Sequence, residues 1–421
     1  MDQDQLFKLT TDTDIRQNEK IVVFGVGGGG GNALNHIIES GVQGVDFVAA
    51  NTDARALDNN LAPNKIILGE TLTRGLGAGA NPKVGADAAK ESIDRIKEYI
   101  SGADMLFVTA GMGGGTGTGA APVIAEAARD MQVLVVGVVT LPFAFEMALR
   151  RKTALEGIEQ LKKNVDALLI VENDRLLDIA GDKMRLVDAY KKVDEVLRQA
   201  VQGVTDLITK SGFVNLDFAD IKTVLTNKGM AIMGMGEGEG ENRAEIAARN
   251  AIESPLMSVQ LDGATGILMN VSTGTEITLR EMYDAAKIIE ETADPDAQVI
   301  WGHVIDDTLG EKVHVTLIAT FPNDGRGQGQ RQSRNTTNTK TTDNQQRQGM
   351  AQNQQQQQQP PRQQTVPTSR NSAYEVFKHR HQSGSLEEAP LTTAEEENRP
   401  FGGLPRTPYD RPSYFRRGGR S

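Results

Sequence analysis

The sequence predicts an α/β fold. A parallel-sheet domain spans residues 20–185, and a long central helix (186–210) joins it to a smaller α+β domain (211–322). A low-complexity tail follows from residue 323. Three observations carry this prediction. First, three loops of small residues each follow a short apolar strand and precede a helical run. Such loops gather at the carboxyl edge of parallel strands, where open α/β sheets bind ligands. Second, residues 186–210 keep Val193, Leu197, Ala200, Val201, Val204, Leu207 and Ile208 at helical spacing, a rod of about 37 Å. Third, the composition beyond residue 323 turns to Gln, Asn and Arg with few large apolar side chains.

In chain order, residues 1–19 are polar and acidic, without the apolar core of a signal peptide. Residues 20–24 read as a buried strand, followed at once by the glycines 25 and 27–31 and a helix over 32–40. Gly25, Gly27 and Gly30 satisfy G-x-G-x-x-G after a strand, which is compatible with a dinucleotide site in which Asp53 serves as ribose partner. Residues 46–51 and 65–68 are further strands. The second small-residue loop, 73–82, ends at Pro82, which suits the first turn of a helix running to residue 99.

The third loop is the centre of the chain. An apolar strand over 105–109 feeds Gly111-Met112-Gly113-Gly114-Gly115-Thr116-Gly117-Thr118-Gly119, and a helical run over 120–129 leaves it. So much glycine leaves the backbone N–H groups uncovered, and the helix N-terminus behind them adds positive potential. This is a phosphate cradle. Thr116 and Thr118 add hydroxyl donors. The absence of a Gly-Lys-Ser/Thr ending separates it from the Walker A loop.

Residues 132–139 and 167–172 are strands, with a helix from 146 to 163 between them. Glu146 and Arg150 stand four apart, as either an exposed i,i+4 ion pair or a pair beside phosphate and ribose. Beyond the central helix, Asp217 and Asp220 stand three apart at a helix start. They serve either as helix cap and first-turn acid or as two carboxylates on one face. In the second domain, strands over 231–236, 266–272, 298–304 and 312–319 alternate with helices over 245–251 and 279–291. No catalytic triad or metal spacing stands among them, so this region reads as a packing or assembly module. Residues 323–400, with glutamines at 354–359, bury too little apolar surface to offset ordering entropy and read as a disordered linker. Residues 401–421 mix aromatics with arginines and read as a docking peptide.

Composition narrows the chemistry. Without cysteine there is no disulfide, thiolate nucleophile or thiolate zinc site, and the five histidines show no metal-ligand spacing. Residues 323–421 hold 15 Lys and Arg against 9 Asp and Glu, which leaves the first 322 residues at net −17 within a whole-chain −11. An acidic body argues against nucleic-acid binding there. The longest apolar region, 133–145, is short for a membrane span, so the chain reads as cytoplasmic.

The loop at 113–119, the residues at 27–32, Asn51-Thr52-Asp53, the loop at 75–82, the residues at 142–150 and Asn215-Leu216-Asp217-Phe218-Ala219-Asp220 together resemble, in order, the tubulin/FtsZ family, on its bacterial, division-associated side. The resemblance covers roughly residues 20–320 and the terminal peptide. It implies a GTP-dependent, self-polymerising GTPase that turns GTP into GDP and phosphate and forms the division ring at midcell. By that resemblance, Gly28, Gly29, Gly113, Gly114, Gly115, Thr116, Gly117 and Thr118 hold phosphates, and Ala78, Gly79 and Ala80 lie near the γ-phosphate. Glu146 and Arg150 meet ribose and phosphate. Asn32, Asn173, Tyr190 and Asp194 face guanine, with Tyr190 stacked on the ring. Asp217, Asp220 and Asn215 enter the next subunit's site as catalytic residues. Mg²⁺ bridges the β- and γ-oxygens with few or no protein ligands. The implied partners are further copies of the chain, head to tail, and membrane-tethering adaptors bound by the terminal peptide, in which Arg411 replaces the family's apolar residue. The competing expectations are an NAD-dependent oxidoreductase of Rossmann type, resting on Gly25, Gly27 and Gly30, and a filament protein that binds nucleotide without hydrolysing it.

Overall fold

A computed structural model describes residues 19–180, 184–210, 214, 216–226, 228–257 and 259–322. Among the described residues, ten strands form one sheet in the order β3-β2-β1-β4-β5-β6-β7-β10-β8-β9. They are β1 (Ile21–Val26), β2 (Val45–Asn51), β3 (Asn64–Ile67), β4 (Met105–Gly111), β5 (Leu134–Leu141), β6 (Ala167–Glu172), β7 (Gly229–Gly238), β8 (Gly266–Thr273), β9 (Gln298–Ile305) and β10 (Val313–Phe321). Strands β1 to β6 are parallel throughout. A short parallel register, Ala167↔Gly229 to Leu169↔Ala231, carries the sheet from β6 into β7. There β10 runs antiparallel to both β7 and β8, and β9 lies parallel to β8. The strands of the two expected domains therefore share one sheet.

The parallel strands read as unbroken apolar runs because both faces are covered. On one face Ile21, Val23, Phe107 and Val136 pack with Ala33, Leu34 and Ile37 of α1 (Gly27–Glu39). The central helix, Leu186–Thr209, packs there too, through Val193, Val196, Leu197, Ala200, Val201, Val204 and Leu207. On the other face Val22, Phe24, Leu106, Val108 and Val135 meet the helices Pro82–Glu91, Ile93–Ile100 and Thr116–Asp130. In chain order the helices after α1 are α2 (Ala54–Asp58), α3 (Glu70–Thr73), α4 (Pro82–Glu91), α5 (Ile93–Ile100), α6 (Thr116–Asp130), α7 (Ala148–Leu161), α8 (Arg175–Ala180), α9 (Leu186–Thr209), α10 (Phe218–Leu225), α11 (Arg243–Ile252) and α12 (Leu279–Thr292).

Two differences from the sequence reading bear on the site. The helix expected over 82–99 breaks at Ser92, whose hydroxyl oxygen accepts from Gly69 N (3.0 Å) and donates to Ile67 O (3.4 Å). A side chain that bonds the neighbouring strand end competes with the helix at that turn. Helices α1 and α6 begin inside the glycine runs, at Gly27 and Thr116, and not after them. The glycine N–H groups are thus first-turn groups, which have no partner within the helix.

Candidate functional site

The parallel strands deliver the glycine loops to their carboxyl edge, and the loops lock there by backbone contact. Gly27 sits at φ 72°. A β-carbon on it would lie 2.8 Å from Gly117 N, so the first turns of α1 and α6 abut. Gly113 sits at φ 100°, and a β-carbon there would meet the main chain of Arg150 at 2.7 Å. The 73–82 loop closes the third side: a β-carbon on Gly115 would come within 2.8 Å of Asn81 N and 2.9 Å of Ala78 Cβ. Gly85 and Gly119 likewise face Gly115 O and Pro82 O with no room for a methyl group.

Capping differs among the helices of the chain, and α7 shares the bare first turn of these two. Helices α2, α4 and α12 are closed by Asp53, Asn81 and Thr278, whose side chains accept from first-turn N–H groups. Helices α1 and α6 have no side-chain cap and no acid in the first turn. Two adjoining bare N-termini with exposed Gly28 and Gly29 suit an anion carrying several negative oxygens. The cap at α2 also settles Asp53: its carboxylate accepts from Arg55 N (2.9 Å) and Ala56 N (3.4 Å), so the dinucleotide reading loses its ribose partner.

The two threonines divide their work. Thr118 is buried, and its hydroxyl oxygen accepts from Gly113 N (2.8 Å). It therefore holds the loop from within through its oxygen, and its O–H is left to donate. Thr116 is half-buried and hydrogen-bonded to Thr52 through their hydroxyls (2.6 Å), which ties the end of β2 to the phosphate loop.

Glu146 and Arg150 come together beside that loop. Glu146 Oε1 accepts from Phe143 N (3.0 Å), Oε2 lies 3.1 Å from Arg150 Nη1, and the Glu146 side chain is only 9% exposed. Tyr190 on α9 stands next to this carboxylate. Burial and Glu146 together push its phenol above the ordinary value. The buried Phe143 ring meets Tyr190 edge-on at 5.4 Å, a supporting ring that the sequence reading missed.

Further along α9, Asp194 is pushed up to about 6 by burial, opposed by the nearby His36. His36 Nε2 in turn lies 2.9 Å from Glu195 Oε2. Asn173, just past β6, is 4% exposed, and its Oδ1 has no protein partner. A buried unpartnered carbonyl oxygen costs stability unless something else donates to it. Asn32 lies exposed on α1. Asn173, Tyr190 and Asp194 thus supply an acceptor, a ring and a carboxylate, a set that fits a purine bearing N–H donors.

The acidic pair lies elsewhere. Asp217 occupies the N-cap position of α10, yet its side chain makes no capping bond, which removes the purely structural reading of that residue. Asp220 is in the first turn, and both are exposed. The segment before them docks on the edge strand: His303 N donates to Val214 O (3.2 Å). Asn215, the terminal peptide and the linker lie outside the described residues. No helix among the described residues is long and apolar enough to cross a membrane.

Comparison with known proteins matches this geometry. The tubulin/FtsZ family GTPase domain matches residues 20–181, and the FtsZ family C-terminal domain matches residues 229–321. A solved structure of an empty FtsZ dimer from M. jannaschii is 46% identical over 73% of this chain and 89% of its own, with a TM-score of 0.70. A point mutant of FtsZ from M. jannaschii is also 46% identical, over 72% of this chain and 91% of its own, with a TM-score of 0.70. A GTPγS-bound protofilament of CetZ2 from Haloferax volcanii is 22% identical over 73% of this chain and 95% of its own, with a TM-score of 0.62. It shares the fold. With both family domains matched and an FtsZ structure 46% identical over 89% of its own length, the chain belongs to the tubulin/FtsZ family, on its FtsZ branch, and is a GTPase.

Proposed function

We propose that the chain is a cytoskeletal GTPase that polymerises head to tail on GTP, hydrolyses it where two copies meet, and builds the division ring at midcell in the cytoplasm. The observation that carries this reading is a separation. Tyr190 and Asp194 mark the nucleotide end of α9, and the helix ends at Thr209. Nineteen residues of helix put about 28 Å between Tyr190 and that end, and Asp217 and Asp220 come only afterwards, exposed. This spacing supports reading these acids as serving another copy's phosphate loop. A second copy stacked on the nucleotide face brings them to the γ-phosphate. Such a heterologous contact propagates as a filament.

In this reading Gly28, Gly29 and residues 113–118 hold the phosphates by backbone donors, and Ala78, Gly79 and Ala80 border the γ-phosphate. Glu146 and Arg150 fix ribose and phosphate. Asn32, Asn173, Tyr190 and Asp194 select guanine. Asp217 and Asp220 of the neighbour, with Asn215 beside them, orient the attacking water and accept its proton. Positioning and charge stabilisation then supply most of the rate. Mg²⁺, if bound with the nucleotide, would neutralise phosphate charge. The terminal peptide, with Tyr409, Asp410, Pro412, Tyr414 and Phe415, docks to membrane-tethering adaptors.

The test is phosphate release against protein concentration. A shared site gives turnover per molecule that rises steeply above a threshold coincident with light scattering. Turnover per molecule that stays constant on dilution would place the whole reaction within one copy.

A further inference from the structure

Strand β9 carries Gly302 in its interior, where a glycine weakens a strand and marks the close approach of another segment. Gly302 is buried and is not among the glycines of positive φ, so its backbone conformation does not call for glycine. What excludes a side chain is its surroundings. A β-carbon there would lie 3.3 Å from both Cγ and Cδ1 of Leu216, and 2.6 Å from Cδ2 of Leu207 in the last turn of α9. The next residue of β9 holds the same segment by its main chain, since His303 N donates to Val214 O (3.2 Å). Leu216 immediately precedes Asp217, whose side chain makes no capping bond, so the chain around it sets where its carboxylate stands. Past the two acids, Ile221, Val224 and Leu225 are buried, and Thr320 Oγ1 donates to Val224 O (3.2 Å). The acidic turn is thus fastened on both sides, with Gly302 as the seat on the upstream side.

We propose that Gly302 and Leu216 are positioning residues for hydrolysis, seating the acidic turn so that Asp217 and Asp220 reach the water that attacks a neighbouring copy's γ-phosphate. The proposal rests on the head-to-tail reading above and adds to it the device that sets the reach of the acids. The two close contacts of Gly302 differ in consequence. Leu207 Cδ2 is the far end of a flexible side chain and swings aside for a methyl group. Leu216 is met at Cγ as well as Cδ1, close to its own backbone, so it moves as a whole and takes residue 217 with it. A misplacement of about 1 Å in a catalytic group costs about 100-fold in rate, so a smaller shift at Leu216 is still felt in turnover. Nucleotide binding, which belongs to other residues, does not feel it.

Full-length Gly302→Ala and Leu216→Ala chains, and Gly302→Ala combined with either Leu216→Ala or Leu207→Ala, are compared with wild type. The readouts are phosphate release per sedimented molecule, sedimentation with a slowly hydrolysed GTP analogue, and GDP binding. Gly302→Ala lowers release per sedimented molecule about tenfold, while GDP affinity and the sedimentation threshold stay at their wild-type values. Leu216→Ala, which adds no bulk to the core, lowers release as well. Gly302→Ala with Leu216→Ala releases phosphate faster than Gly302→Ala alone, because the added methyl group finds vacated space. Gly302→Ala with Leu207→Ala does not. Wild-type release in both single variants overturns the seat while leaving the polymer reading intact. Recovery through Leu207→Ala and not through Leu216→Ala overturns it in favour of core packing. Loss of GDP binding in either single variant overturns it in favour of an effect carried along α9. Wild-type turnover per molecule that stays constant on dilution overturns the head-to-tail reading and the seat with it.

Discussion

The nucleotide end and the acidic end of this molecule are built in opposite ways. At the nucleotide end function lies in the backbone. Glycines at 27, 85, 113, 115 and 119 let five segments approach until no β-carbon fits, and two helices are left uncapped. At the acidic end the proposed function lies in side chains, Asp217 and Asp220, that are exposed. Asp217 stands at an N-cap without capping. A binding surface made of backbone is rigid and intolerant of substitution, because protein interiors lack free volume. A pair of exposed carboxylates can be removed without disturbing anything beneath them.

This contrast is broken most directly by Asp217→Ala. The fold and GTP binding should survive unchanged, while turnover of assembled protein falls about 100- to 10,000-fold, the usual contribution of a positioned general base. Melting temperature, nucleotide binding and phosphate release are measured on one preparation. A parallel loss of nucleotide binding would move Asp217 into its own copy's site and remove the distinction between the two ends.

The converse substitution is Gly119→Ala. A methyl group there runs into Pro82 O and forces α4 and α6 apart. Overpacking of this kind costs about 1–3 kcal/mol, visible as a lower denaturation midpoint. Because α4 begins at the end of the 73–82 loop, nucleotide affinity falls with it. An alanine variant with wild-type stability and affinity would show that the cradle is softer than its contacts imply.

Much of this was legible beforehand, for a physical reason. Glycine runs after apolar strands and a 24-residue amphipathic rod leave unambiguous periodic signals. The break at Ser92 was not legible, because it depends on Gly69 and Ile67, which are distant in sequence. The early start of α1 and α6 was hidden by glycine's low helix propensity, which packing overrides. The bond from Gly113 N to the Thr118 hydroxyl was not legible either, because the pattern position of Thr118 does not say which way its hydroxyl faces. Phe143 was passed over within the 142–150 stretch because nothing there singles out its ring, and His36 because it belongs to no motif. Their importance comes from Tyr190 and Asp194, brought alongside by α9.

Within the nucleotide end itself, Asn173 sharpens the comparison, being a side chain among backbone donors. Asn173→Leu removes a buried carbonyl oxygen that has no protein partner, so the empty protein should be at least as stable as wild type. Guanine affinity should fall by about 1 kcal/mol, roughly fivefold, for one lost hydrogen bond. Calorimetric titration with GDP and a urea curve without nucleotide read the two effects separately. A drop in both would mean that Asn173 supports the fold and not the ligand.

The smallest effect tests a titrating group at that end. Burial holds Asp194 at about 6, well above a free carboxylate. Its contribution to the stability of the empty protein is therefore fully present below the unfolded value and is lost as pH rises through 6. Guanine binding has the opposite sign, since only the ionised carboxylate accepts two N–H donors. Affinity should be flat above pH 7 and should weaken about fourfold between pH 7 and pH 5.5, as a group titrating near 6 must be deprotonated to bind. Asp194→Asn should bind more weakly at pH 7 and lose that pH dependence. If Asp194→Asn keeps the wild-type slope, the proton belongs to another group, and the carboxylate of Asp194 is not what sets the pH dependence of guanine binding.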